Sequence, residues 1–137
     1  MTEQTLVFIK PDGVRRHIVG DVISRFEKKG LKLAALKMKS LTQAQSDAHY
    51  HEHVSKAFYA SLREFITSGP VVLMVLEGEN AIDVVRLMVG ETDGQKAASG
   101  TIRGDFAMSK AENIIHASDS SESAKREISH FWPHGLR

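Results

Sequence analysis

The chain contains no cysteine in its 137 residues. That removes disulfides, thiolate nucleophiles and cysteine-type zinc sites together, and leaves histidine and carboxylates to carry any chemistry. Charge of either sign in excess is also missing. Eighteen basic side chains face 17 acidic ones, a net charge of +1 with histidines neutral, so no overall field draws the chain to a polyanion and any anion site must be local. No apolar run approaches the length of a membrane span, and the opening MTEQTLVFIKPDG lacks a charged region followed by a long apolar one. The expectation is a cytoplasmic protein with no membrane association. Neither GxxxxGK[ST] nor GxGxxG occurs, which argues against a Walker-type ATPase and a Rossmann enzyme.

What is present suffices for one core. At 42% hydrophobic residues with only three prolines, a chain of this length reads as a single domain over residues 1–137. Thr5 to Lys10 has strand composition and ends at Pro11-Asp12-Gly13, which reads as a turn. Val19, Val22, Ile23 and Phe26 recur at helical spacing, and Gly30 stops that helix after Lys29. Leu31 to Lys39 alternates, with Leu31, Leu33 and Ala35 on one side and Lys32, Lys37 and Lys39 exposed. Thr42 to Thr67 reads as two helices, the first capped by Thr42 and the second with an apolar stripe of Phe58, Leu62, Phe65 and Ile66. Val71 to Leu76 is wholly apolar, as a strand covered on both faces is. Asn80 caps a helix that ends at Val89, before Gly90. Glu91 to Ala111 carries little periodicity and reads as a long functional loop. A short strand through Ile114 and Ile115 and a helix from about Ser120 to Phe131 complete the order β-α-β-α-α-β-α-loop-β-α. This is an α+β, ferredoxin-like split βαβ pattern, a four-stranded antiparallel sheet with helices packed on it and additional helices.

His116 stands at the end of the last strand and the mouth of the last helix. Asp119 and Glu122, three residues apart, read as a capping pair that starts this helix and aims its positive end near the imidazole, a setting that favours an anion. Ala124, Glu127, Ile128 and Phe131 share the spacing of a core-facing stripe, which puts Glu127 on or near the buried side, where a carboxylate needs a partner. His116 is a fitting one, with Glu127 fixing the ring's tautomer and stabilising its charged form. Lys10, Arg86 and Arg103 each end or flank an apolar element, and with the histidine they would make a phosphate site from side chains.

Five motifs occur in order: Ile9-Lys10-Pro11-Asp12-Gly13-Val14, Ser68-Gly69-Pro70-Val71-Val72, Gly90-Glu91-Thr92, Gly100-Thr101-Ile102-Arg103-Gly104-Asp105-Phe106, and Asn113-Ile114-Ile115-His116-Ala117-Ser118-Asp119-Ser120. On these the chain resembles the nucleoside diphosphate kinase family from Thr5 to about Phe131. The resemblance implies transfer of the terminal phosphate of a nucleoside triphosphate, usually ATP, to a nucleoside diphosphate through a phosphohistidine, with Mg2+. It implies His116 as nucleophile, oriented by Glu127 and Ser118. Lys10, Tyr50 and Asn113 would lie near the transferred phosphoryl group and the sugar 3'-hydroxyl, Arg86, Thr92 and Arg103 would bind phosphates, and Phe58 would stack on the base with Leu62 beside it. Stacking reads no hydrogen-bond edge, so base specificity should be broad. Magnesium would be held mainly by nucleotide phosphates and water. A homo-oligomer built from dimers is implied as well.

The sequence departs from the family's pattern in places. Residues 93–100 carry none of the prolines usual in that loop, which would loosen it and bear on assembly. Lys110 stands where a small apolar residue is common beside the base. Ala57 and Tyr59 replace parts of a frequent Pro-Phe-Phe motif, and the sequence ends at Arg137 without the tail that in many relatives crosses an interface. A second cluster, His49-Tyr50-His51-Glu52-His53, puts His49 and His53 four apart, a helical spacing that can clip zinc or nickel. Two ligands leave such a site incomplete, and an exposed polar helix face framing Tyr50 is the favoured reading. An RNA-binding module on this fold would need paired aromatics in a basic setting, and no such pattern occurs, so dedicated nucleic-acid binding is not expected.

Overall fold

A computed structural model describes residues 2–136. The elements in chain order are β1 (Thr2–Ile9), α1 (Pro11–Arg15), α2 (Val19–Lys29), β2 (Lys32–Ser40), α3 (Gln43–His49), α4 (Tyr59–Ile66), β3 (Pro70–Glu79), α5 (Ala81–Val89), α6 (Ile102–Phe106), β4 (Ile115–Ala117) and α7 (Ser121–Phe131). The strands form one four-stranded sheet in the order β2-β3-β1-β4, antiparallel throughout. This is the split βαβ topology expected from the element order.

The alternation of side chains along the central strands builds two cores. Val7 and Ile9 of β1 and Val72, Met74 and Leu76 of β3 face one side, where Val22 and Phe26 of α2 and Ala81, Val85 and Val89 of α5 cover them. Leu6, Phe8, Val71 and Leu73 face the other, against Ile66 of α4 and Phe131 of α7. β1 is therefore apolar on both faces, as an inner strand must be. Among the described residues no helix is long and apolar enough to cross a membrane.

Several elements differ from the sequence-based expectation. Pro11-Asp12-Gly13 opens a helix, α1, with Pro11 in its first turn, a position where the missing N–H costs nothing. The alternation read for β2 is interrupted at Ala34, the extra residue of a bulge between Leu33 and Ala35. One added residue inverts the phase, so Leu36 and Met38 pair with Met74 and Val72 on the same face as Leu33. Asn80 precedes α5 as expected but in the left-handed region, at φ 51°, with no capping hydrogen bond from its side chain. Gly30 ends α2 at φ 104°, where a residue with a Cβ would be strained. The segment from Glu91 to Ala111 is not one loop, since it contains α6, capped by Thr101, whose Oγ1 accepts from Gly104 N at 2.9 Å. Its proline-free part is tied at Asp93, whose carbonyl accepts from the N–H groups of Lys96 and Ala97. α7 is capped by Ser120, accepting from Ser123 N at 3.0 Å, rather than by the pair Asp119 and Glu122. Ser120 offers a short side-chain oxygen acceptor, as Asp119 does, one position later. Asp119 still sits at that helix mouth, its carboxyl held below its usual value by a hydrogen bond with Ser123.

Candidate active site

β4 is only three residues long, and its pairing decides where the histidine goes. Phe8 of β1 lies opposite His116, while the flanking Ile115 and Ala117 are buried in the core of the other face. His116 therefore projects from the sheet face shared by Phe8, towards α3 and α7. Phe8 stacks on it at 4.9 Å between ring centroids, and His49 meets it edge-on at 4.6 Å. The ring is thus held on two sides by other rings.

Glu127, on the buried stripe of α7, completes its setting. His116 Nε2 lies 3.1 Å from Glu127 Oε1, and Ser118 Oγ donates to the same oxygen at 2.6 Å. Ser118 is itself fixed to β1, its hydroxyl accepting from Leu6 N at 3.3 Å. Burial pushes the Glu127 carboxyl up, but the hydrogen bonds and charge of His116, the Ser118 hydroxyl and the Arg126 charge outweigh it and hold the carboxyl below its usual value. With Nε2–H given to Glu127, the neutral ring keeps its free lone pair on Nδ1.

A second group of side chains is organised by the turn before β4. Lys10 Nζ donates to Asn113 Oδ1 at 2.8 Å, and Asn113 Nδ2 donates to Thr92 O at 3.0 Å. Burial, and next the charge of Arg103, lower Lys10 from 10.5 to about 8, with Asp12 acting in the opposite direction. Arg103 is buried too, donating to Gly90 O at 3.1 Å and Ile115 O at 2.7 Å, and burial with the neighbouring Arg86 lowers it to about 10. Arg86 donates to Ala117 O at 3.2 Å. Three cations gathered at one place, two of them buried, form a site that an anion would stabilise.

These groups share one cleft of about 800 Å³. Every residue given a catalytic or nucleotide-binding role from the sequence lines it except Ser118, which is fully buried behind Glu127. Tyr50 lines it with its hydroxyl pushed up by burial, next by Glu127, and so remains a proton donor. Phe58 is 53% exposed, and Leu62 and Phe65 also line the cleft. The stripe of Phe58, Leu62, Phe65 and Ile66 therefore splits, and only Ile66 enters the core. Lys110 lies on the exposed rim.

The histidine cluster differs from the helical face expected from the sequence. α3 ends at His49 with Tyr50 as its C-cap, so the helical spacing to His53 is absent. His53 Nδ1 pairs with Lys56 Nζ at 3.0 Å, whereas His49 is buried against His116 instead of forming an exposed polar face. Burial, next the charge of His116, hold His49 well below its usual value.

From the sequence Asp12 reads as a turn residue. It is buried, and its Oδ2 accepts from Ile114 N at 3.1 Å while Lys10 N donates to Ile114 O at 2.7 Å. These two bonds clamp Ile114 at φ 75°, a conformation that a β-branched residue adopts only under constraint. Only the long-range pairing of the two segments reveals this, and no local signal carries it.

The family model for nucleoside diphosphate kinase matches residues 3–135. A nucleoside diphosphate kinase of Staphylothermus marinus is 60% identical over 127 residues, 93% of this chain and 90% of that protein. One from Mycobacteroides abscessus is 58% identical over 134 residues, 97% and 98% of the two chains. The crystal structure of the Encephalitozoon cuniculi enzyme superposes with a TM-score of 0.95 at 39% identity, covering 98% of this chain and 92% of that one. The Halobacterium salinarum enzyme, solved in complex with CDP, gives 0.93 at 45% identity, covering 96% and 88%. Matches of this extent, to a sequence whose cleft joins an oriented histidine to clustered cations, mean that the chain belongs to the nucleoside diphosphate kinase family.

Proposed function

We propose that this enzyme of the nucleoside diphosphate kinase family transfers the terminal phosphate of a nucleoside triphosphate, usually ATP, to a nucleoside diphosphate in two half-reactions through a phosphohistidine at His116. The observation that carries the reading is the contact of His116 Nε2 with Glu127, which leaves Nδ1 as the nucleophilic nitrogen beside the cationic cleft. In the first half-reaction the Nδ1 lone pair forms a bond to the γ-phosphorus, the bond to the bridging oxygen breaks, and the diphosphate departs with that electron pair. Glu127 offsets the positive charge that the ring gains. In the second half a terminal oxygen of the acceptor diphosphate attacks the same phosphorus and the nitrogen is released.

Exchange of one phosphoanhydride for another is nearly balanced, and a phosphohistidine has comparable energy, so one site serves donor and acceptor in turn. Positioning and charge neutralisation supply most of the rate in such transfers. Here Lys10, Tyr50 and Asn113 would serve the transferred group and the sugar 3'-hydroxyl, Arg86, Thr92 and Arg103 the phosphates, and Phe58 with Leu62 the base, with broad specificity. The cleft's carboxylates are Glu127, already engaged by His116 and Ser118, and Glu52 and Asp119, set among cations. This donor set fits Mg2+ carried on the nucleotide phosphates and water, where it would neutralise phosphate charge.

The proposal includes a cytoplasmic single-domain protein without dedicated nucleic-acid binding, assembled as a homo-oligomer built from dimers. β2 supports assembly: it is an edge strand whose Leu36 and Met38 are 50% and 58% exposed, and such an edge is a template for pairing with a second copy. Native mass spectrometry reads that state.

For the chemistry, the protein is incubated with ATP and magnesium without acceptor, and intact mass is recorded. One acid-labile phosphate that maps to His116, is discharged by GDP and is absent from His116→Ala supports the mechanism. An adduct on another residue, or substantial turnover by His116→Ala with its fold intact, refutes it.

A further inference from the structure

His49 is the buried group that the phosphotransfer scheme leaves unused. It is 5% exposed, and its Nδ1 has no hydrogen-bond partner among the described residues. A buried ring nitrogen in that condition costs free energy unless something fills its place. One ligand atom from each of His49, His116 and Glu127 can be chosen so that all three lie within 4.8 Å of one another. Tetrahedral zinc, with bonds near 2.1 Å, needs ligand atoms roughly 3.4 Å apart, and the separation of His116 Nε2 from Glu127 Oε1 is already 3.1 Å.

We propose that His49, His116 and Glu127 form an inhibitory site for zinc, two imidazoles and one carboxylate with the fourth position open to the cleft. Ligand chemistry admits zinc and disfavours magnesium. Imidazole nitrogens suit zinc, whereas magnesium prefers oxygen ligands and gives up its water reluctantly. Lys10 and Arg126 are close enough to oppose added positive charge on His49, so binding depends on these three ligands and not on the field of the cleft. The three residues come from α3, β4 and α7, so the folded chain alone presents the set.

The inhibition would act through the tautomer. Without metal, Nε2 carries the proton and faces Glu127, and Nδ1 holds the lone pair. Zinc on Nε2 takes the lone pair of that nitrogen, so the neutral ring's one proton moves through solvent to Nδ1. The nitrogen facing phosphorus then has no lone pair to offer. This consequence rests on His116 being the phosphorylated residue, whereas binding of the metal does not.

The test uses the whole protein, free of nucleotide and magnesium. Titration with zinc chloride by calorimetry, and metal analysis after dialysis, should show one zinc per chain, and magnesium chloride alone should show no uptake. The zinc-loaded protein, then given ATP and magnesium, should form at least about tenfold less phosphoenzyme, with recovery after washing with EDTA. His49→Phe, which keeps a ring in the space, and His116→Ala should each weaken zinc binding at least about tenfold, as loss of one of three ligands requires. His53→Ala should bind zinc as the unaltered chain does. Equal uptake by His49→Phe or His116→Ala, or loss of uptake in His53→Ala, overturns the site. One zinc bound with undiminished phosphoenzyme overturns the inhibition. If no phosphoenzyme forms even without zinc, the proposed mechanism has failed, and the uptake measurements still decide whether the site exists.

Discussion

Raising the pH should make this protein more stable and less active over the same interval, because both effects follow from Lys10. Its ammonium is lowered from 10.5 to about 8, a difference of about 2.5 units or about 3 kcal/mol against the charged form in the fold. At pH 7 both folded and unfolded chains hold the proton, and the folded one carries the full cost. Above about pH 8 the folded chain releases it while the unfolded chain keeps it to about 10.5. Stability then rises through that window, since the unfolded state binds more protons. In the role proposed for Lys10 beside the transferred phosphate, binding needs the charge. About 91% of free enzyme is charged at this position at pH 7 and about 9% at pH 9, so kcat/KM, which reports the free enzyme, should fall about tenfold between them. Initial rates at substrate well below KM, with thermal or urea unfolding on the same buffers, give both curves. Lys10→Met should show a low kcat/KM at pH 7 and no inflection near 8. A flat wild-type profile from pH 7 to 9.5, or an inflection that survives in Lys10→Met, refutes the reasoning.

Ser118→Ala removes a donor to a buried carboxylate and the acceptor of Leu6 N, and should cost about 2 kcal/mol in urea unfolding, with slower phosphorylation because Glu127 is less firmly held. An unchanged unfolding midpoint would contradict it. Phe58→Ala should weaken nucleotide binding by about 1 to 3 kcal/mol with little change in base preference, measured by calorimetry with several diphosphates. A sharp new base selectivity would argue against stacking. Gly104→Ala would put a Cβ 1.9 Å from Ala98 O, displacing the backbone beside Arg103, so both stability and kcat/KM should drop, and wild-type values for both would show that α6 relaxes freely.

The strands and the longer helices were legible because burial imposes a pattern on them. β1 and β3 are apolar on both faces, and α2 and α7 carry stripes at helical spacing. α1 was hidden because Pro-Asp-Gly has identical local chemistry in a turn and in a first helical turn. α6 was hidden by its five residues, too few to show a period. The bulge at Ala34 leaves no mark in composition, yet it inverts the alternation of everything after it in β2. In the site, His116 and Glu127 could be matched because strand end and helix stripe each point to the buried side. His49 was misplaced because the spacing to His53 assumes a helix that has already ended. Phe58 and Leu62 show the opposite error, apolar residues at core spacing that line a cleft, and there the family motif carried information that periodicity does not.

The clamp on Ile114 has a consequence for synthesis. The Ile114 that Lys10 and Asp12 hold lies 102 residues after Asp12 in the chain. β1 can pair with β3 once about residue 79 has emerged, but its other edge waits for β4. Because translation adds only about 5 to 20 residues per second, the nascent chain passes seconds with an open apolar edge. The histidine, its carboxylate and the ammonium meet only after α7 is released. A chain cut short before Glu127 could pair β1 with β3 and would still lack the carboxylate that faces His116.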